Sequence, residues 1–195
     1  MMPIGSSSLV KVIGLDPGSN TFGVSVLTID TDSLHIVNSD AFTLVGSKIS
    51  SNSYWVEEIY GGRVNRILAL ENALLEIFNY HQPLIIASES PFINAAFPQA
   101  GVALTEVMCS IRRAVMQHDI YKQLHLIPPS SLKNAIGAIG NAGKDVMKEK
   151  IIQLSNQFSY TGNIPIALLD EHSIDALAVG YCVCIKMRER QMTAT

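Results

Sequence analysis

Three short apolar runs, separated by only a few turn-forming residues, open the chain and constrain its fold more than any other feature. The runs span residues 10–15, 22–29 and 34–44, and the segments DPGSNT and DTDS separate them. Runs rich in β-branched residues between such turn signals predict strands. A parallel partner would need a crossover of about a dozen residues or more, so neighbouring strands must pair antiparallel. The chain therefore begins with a three-stranded antiparallel meander.

The rest of the chain alternates helical and strand patterns. Helical spacing of apolar residues covers five segments: residues 63–80, 100–118, 130–139, 144–157 and 173–190. Short apolar runs at 84–87 and 124–127 predict two further strands. The element order is β-β-β-α-β-α-β-α-α-α, which indicates an α/β fold. We expect one domain over residues 10–190, between a flexible N-terminal tail (1–9) and a C-terminal tail (191–195).

The composition excludes a disordered chain and a membrane-spanning protein. Of the 195 residues, 48% are hydrophobic and 16% charged, which is enough apolar surface for a substantial core. No stretch approaches the ~18 to 20 apolar residues of a bilayer-spanning helix, and MMPIGSSS lacks the pattern of a secretory signal. Cys109, Cys182 and Cys184 form no CxxC pair, so we expect buried, reduced thiols and a cytoplasmic protein.

Four residues with metal-binding or proton-carrying groups stand at the ends of these elements. Asp16 ends the first strand, and Glu89 directly follows the run LIIAS. His172 and Asp175 are three residues apart at the start of the last helix, so they share one face. Three carboxylates and an imidazole at one sheet edge would repel or desolvate one another unless cations lay between them. The sequence therefore predicts a metal site.

The ligand types indicate which metal. Oxygen ligands with one histidine suit Mg²⁺ or Mn²⁺ better than structural zinc, which prefers closed Cys and His sites. Such a cluster can hold two ions about 4 Å apart, as in phosphodiester hydrolysis. Asp16 has an alternative role as a turn former before Pro-Gly. His172 lies where helix-capping residues are common, with Asp170 or Glu171 as the alternative acid.

Four segments together resemble one known family. IGLDPGSNTFGVSVL, IIASESPF, SLKNAIGAIGNAGK and HSIDALAVGYC occur in the order and spacing of the RuvC family of Holliday junction resolvases, within the RNase H-like superfamily. The resemblance spans residues 10–184. It implies an RNase H-like fold with a central five-stranded mixed sheet flanked by helices. It also implies a homodimer that nicks two strands of a four-way DNA junction symmetrically, leaving 5′-phosphate and 3′-hydroxyl ends.

The resemblance assigns roles in catalysis and metal binding to the four candidate residues. Asp16 matches the first-strand aspartate that bridges both metals, Glu89 matches the second acid, and Asp175 matches the aspartate of the DALA-containing helix. His172 falls where many members have another aspartate and some have histidine. A histidine there leaves a plausible ligand or proton carrier, and it leaves the choice between Mg²⁺ and Mn²⁺ open.

Three further residues are implied to contact DNA. Phe92 matches an aromatic residue in a loop that contacts unstacked bases, and Lys133 and Lys144 match two lysines near the cut phosphate. The alternatives are that Phe92 packs onto the core and that both lysines are ordinary solvated charges.

The net charge of −3 argues at first against a protein that binds nucleic acid. However, residues 111–150 carry seven Lys or Arg and three acids, which leaves seven basic and fourteen acidic residues elsewhere. We therefore expect DNA to lie along residues 111–150, beside the metals. Other functions remain open: a related nuclease acting on flaps, forks or RNA–DNA hybrids, a catalytically silent branched-DNA-binding protein, or a phosphotransferase related to actin and sugar kinases.

Overall fold

A five-stranded mixed sheet forms the centre of the protein in a computed structural model that describes residues 8–49, 54–91, 98–138, 143–156 and 158–194. The strands are β1 (Leu9–Asp16), β2 (Thr21–Asp30), β3 (Ile36–Val45), β4 (Ile85–Glu89) and β5 (Leu124–Ile127). Their order in the sheet is β3-β2-β1-β4-β5. The first three pair antiparallel, whereas β4 runs parallel to β1 and β5 parallel to β4. The predicted sheet is confirmed.

Helices cover both faces of this sheet. Within the described residues they are α1 (Gly46–Ile49), α2 (Tyr54–Tyr60), α3 (Gly62–His81), α4 (Pro98–His118), α5 (Pro129–Ala135), α6 (Lys144–Ser155) and α7 (Glu171–Ala194), with a 3-10 turn at Ile166–Leu168. One apolar cluster joins α3 and α4 to one face of the sheet, and another joins α5, α6 and α7 to the other. No helix within the described ranges is both long and apolar enough to cross a membrane.

The sequence patterns missed several local features. The last helix continues to Ala194 rather than ending near residue 190, and α5 ends at Ala135 rather than 139. The two short helices α1 and α2 were not predicted, because this segment is rich in serine and most apolar side chains of α2 are exposed, which leaves no helical pattern of core residues. Trp55, on α2, is 69% exposed.

The cysteines are only partly as expected. Cys182 and Cys184 are buried, but Cys109 is exposed, so the prediction of three buried thiols is wrong at that position. Cys109 follows the buried residues Val107 and Met108 on α4 and therefore lies on the side of the helix that faces away from the sheet.

Small residues let the start of α7 lie directly against β1 and β2. A Cβ atom on Gly23 would lie 2.0 Å from the carbonyl oxygen of His172, and one on Gly14 would lie 2.5 Å from that of Ala176. Ser25, also buried, donates a hydrogen bond to the Ala176 carbonyl oxygen at 2.7 Å. This close approach brings the first turns of α7 to the sheet edge where β1 ends.

Candidate active site

The ends of β1 and β4 place two carboxylates side by side. Leu15 pairs with Ser88 in the parallel register, so Asp16 and Glu89 are the next residues on neighbouring strands. The first turn of α7 lies across this edge, where Nδ1 of His172 is 2.8 Å from Oδ2 of Asp16. The structure therefore brings together Asp16, Glu89 and His172, which are far apart in the sequence.

The surroundings of Glu89 disfavour the charged form of its carboxyl group. Burial, followed by repulsion from Asp16 and Asp175, raises the pKa of Glu89 to about 7, and Lys133 opposes this shift. Glu89 therefore lies within electrostatic reach of both aspartates and of Lys133. A half-buried carboxylate in such surroundings is stabilised when a cation lies beside it.

Both ring nitrogens of His172 have partners. Nδ1 contacts Asp16, and Nε2 lies 2.7 Å from Oγ1 of Thr21. The hydrogen bond with Asp16 raises the pKa of His172, and burial opposes the increase. In the neutral ring, Nδ1–H donates to Asp16, so Nε2 accepts from the Thr21 hydroxyl. Sequence reasoning missed Thr21, the first residue of β2, for which the only signal was its place directly after the turn that follows Asp16.

Asp170, the alternative acid, caps α7. Its Oδ1 accepts hydrogen bonds from Oγ1 of Thr43 at 2.7 Å and from the backbone N–H of Ser173 at 2.9 Å. Burial alone would raise the pKa of Asp170, but these hydrogen bonds lower it below its ordinary value. Glu171 has a 47% exposed side chain, with Oε1 3.7 Å from Nε2 of His172. Asp170 thus fixes the helix start, a role typical of aspartate at this position.

Two cavities flank the cluster. A cleft of about 170 Å³ is lined by Asp16, Glu89 and the residues beside them, among them Pro17 and Pro91. A second cavity, of about 380 Å³, includes Asp175, Asp170, Glu171 and residues of α6. The carboxylates therefore face space that solvent or a substrate can enter.

The donor set fits a hard divalent cation. Three carboxylates and an imidazole match the preference of Mg²⁺ and Mn²⁺. The raised pKa of Glu89 shows that its negative charge is disfavoured, and a bound cation would offset the repulsion from the neighbouring carboxylates. Among the described residues, no three His, Cys, Asp or Glu side chains converge closely enough to hold an ion as they stand. Asp16 instead contacts His172, so ion binding requires this pair to rearrange.

The structure describes only part of the three residues expected to contact DNA. Phe92 lies outside the described residues, as does the side chain of Lys144. Lys133 lies on α5, half-buried, at the end of the sheet that holds Glu89, and it acts electrostatically on that carboxylate. Only Lys133 is therefore seen beside the site.

DNA is expected along residues 111–150, beside the metals, but the basic residues of this segment do not all lie beside the candidate site. Lys122 donates to the carbonyl oxygen of Pro83, which precedes β4 at the opposite end of the sheet from Glu89. Arg113 forms an ion pair with Glu71, between α3 and α4. The basic residues of this segment thus do not all lie at the Glu89 end of the sheet.

Replacing Glu89 with Gln is expected to stabilise the metal-free protein at alkaline pH. The folded-state pKa of about 7 exceeds the ordinary value of 4.5, so the unfolding free energy of the wild type falls as pH rises between them. We expect E89Q to exceed the wild type by about 1 to 3 kcal/mol at pH 8, with no difference at pH 4. Urea unfolding in EDTA measures both values. Glu58→Gln, exposed on α2, serves as the control, and an equal gain at both pH values would contradict the assignment.

Comparisons with known proteins identify relatives along almost the whole chain. The family model described as "Crossover junction endodeoxyribonuclease RuvC" matches residues 12–183. One relative with that name, from Dehalococcoides mccartyi (strain 195), is 23% identical over 89% of this chain and 91% of the relative. Another, from Agrobacterium fabrum, is 26% identical over 89% of this chain and 88% of the relative.

Solved structures share the fold at low sequence identity. Thermus thermophilus RuvC has a TM-score of 0.67 and is 16% identical, with 93% of this chain and 97% of that chain covered. Its complex with a Holliday junction substrate gives a TM-score of 0.65 at 16% identity, covering 92% and 96% of the two chains. The yeast mitochondrial Holliday junction resolvase gives 0.61 at 11% identity, with 99% and 86% covered.

Proposed function

The chain belongs to the RuvC family of crossover junction endodeoxyribonucleases, and we propose that it resolves four-way DNA junctions with two Mg²⁺ ions per active site. It is a structure-selective Holliday junction endonuclease. The carboxylate cluster carries the proposed mechanism: burial, and then repulsion from Asp16 and Asp175, raises the pKa of Glu89 to about 7. Mn²⁺ is a second candidate because His172 is part of the cluster.

Asp16, Glu89, His172 and Asp175 are the residues that would hold the ions. Bound divalent ions supply an activated water and stabilise the charge on the leaving oxygen. Asp16 lies between the two sides of the site, with Glu89 on the neighbouring strand and His172 on α7. In the metal-free arrangement Asp16 holds the proton on Nδ1 of His172 and Thr21 occupies Nε2, so a rearrangement that frees Nε2 would leave its lone pair to bind a cation or accept a proton.

The DNA contacts and the assembly are also part of the proposal. Lys133 would contact the phosphate beside Glu89, Lys144 a neighbouring phosphate, and Phe92 an unstacked base at the branch point. Two copies of the chain would form a homodimer, because a two-fold dimer matches a junction with two symmetric cuts. We further propose that the protein works in the cytoplasm.

Cleavage of defined DNA substrates tests this function. We expect a synthetic four-way junction, in Mg²⁺, to receive paired nicks at symmetric positions in two opposing strands, with 5′-phosphate and 3′-hydroxyl ends. A 5′-flap and an RNA–DNA hybrid of the same sequence should be cut at least about tenfold more slowly, because neither presents the two symmetric cut sites that a two-fold dimer would match. Equal rates on the flap, or unpaired nicks on the junction, would refute the proposal.

A further inference from the structure

Lys148 connects α6 to the backbone at which α7 begins. Its Nζ donates a hydrogen bond to the carbonyl oxygen of Leu169 at 2.9 Å. Leu169 is buried and directly precedes Asp170, the residue whose side chain caps α7. On the helix that carries Lys148, the buried residues Met147 and Ile151 anchor it in the core. A rigid helix therefore holds the chain one residue before the α7 cap.

The first turn of α7 is fixed from two opposite sides. On the sheet side, Gly23 allows the His172 carbonyl oxygen to approach β2, and Thr43 binds Asp170. On the α6 side, the Lys148 hydrogen bond holds the same turn. His172 and Asp175 both lie on this helix start, so a shift there would move two of the four proposed metal ligands together.

Lys148 also lies among acids. It lines the cavity of about 380 Å³ that contains four carboxylates: Asp145, Asp170, Glu171 and Asp175. It is the one cation among the described residues that line this cavity. A half-buried ammonium group offsets part of the mutual repulsion of these carboxylates, which would otherwise push the start of α7 away from α6.

We infer that Lys148 is a positioning residue for the nuclease, acting through the Leu169 carbonyl oxygen to hold His172 and Asp175 opposite Asp16 and Glu89. The inference rests on the proposed metal site. Lys148 does not touch the reacting atoms in this role. Loss of a residue that orients metal ligands typically lowers metal affinity or activity about 10- to 100-fold.

Lys148→Met is the main test, because methionine keeps an unbranched apolar side chain but loses the donor and the charge. We expect its affinity for Mn²⁺, titrated by calorimetry without DNA, to fall about tenfold or more. The kcat for junction cleavage should fall similarly, with KM unchanged. Hydrogen exchange of the metal-free protein should become faster in residues 169–177 and stay unchanged in α3. Lys148→Arg retains a donor and should recover most of the Mn²⁺ affinity.

Lys150→Met is the matched control, since Lys150 is on the same helix and contacts only Gln153 among the hydrogen bonds seen for it. It should behave as wild type. A K148M protein with wild-type Mn²⁺ affinity and kcat would overturn the inference, and so would a raised KM with unchanged metal affinity, which would indicate a DNA contact. Failure of the proposed metal site is distinguishable from failure of this inference. In that case the wild type itself would bind no Mn²⁺, and D175N would cleave DNA at the wild-type rate.

Discussion

Replacing Asp16 with Asn is expected to reduce junction cleavage on the order of 10³-fold or more, while junction affinity stays within about threefold of the wild type. A catalytic divalent ion stabilises the transition state by several kcal/mol, and each 1.36 kcal/mol corresponds to about a tenfold change in rate. Asparagine keeps the shape of the side chain but removes the negative charge that would hold the ions. Asp175→Asn should show the same pattern.

Single-turnover cleavage in Mg²⁺ and equilibrium binding of a labelled junction measure the two quantities separately. Asp32→Asn is the matched control, because it makes the same chemical change at an exposed position in the turn between β2 and β3, at the far end of the sheet. It should leave both quantities unchanged. A D16N protein that cut at the wild-type rate would show that the metal-site assignment is wrong.

The sheet could be predicted because its strands are determined by local patterns. Short connections forced the first three strands to pair antiparallel, and apolar runs bounded by turn residues marked the other two. These strands also predicted that Asp16 and Glu89 lie close together, since neighbouring parallel strands end at the same edge of the sheet. The observed pairing of Leu15 with Ser88 confirms that step.

What could not be predicted depends on tertiary packing. The contact of Thr21 with His172 requires the start of α7 to lie on β2, and no periodicity in either segment indicates how closely they approach. The position of the basic residues in segment 111–150 could not be predicted for a similar reason. Net charge along a segment carries no information on which end of a helix or strand faces the site, and Lys122 proved to lie at the opposite end from Glu89.

The close approach at Gly23 leads to the second large expected effect. Replacing Gly23 with Ala should lower the unfolding free energy by about 3 kcal/mol or more, because the new Cβ would lie 2.0 Å from a backbone oxygen that no side-chain rotation can move. For a chain of this size that corresponds to a melting temperature roughly 6 to 12 °C lower. Gly62→Ala, at the start of α3, is the matched control, since its new Cβ would meet only flexible side-chain atoms at 3.4 Å or more.

Activity separates a general loss of stability from a displaced site. A Cβ on Gly23 would lie against the carbonyl oxygen of His172 itself, so relieving the clash would displace the first turn of α7 relative to β2. We therefore expect G23A to cut junctions at least about tenfold more slowly even at temperatures far below its melting point, because ligand orientation is lost. Its Mn²⁺ affinity should fall in parallel. A G23A protein with lowered stability but wild-type cleavage would mean that the position of His172 does not control the chemistry, and that the Asp16, Glu89 and Asp175 carboxylates suffice without it.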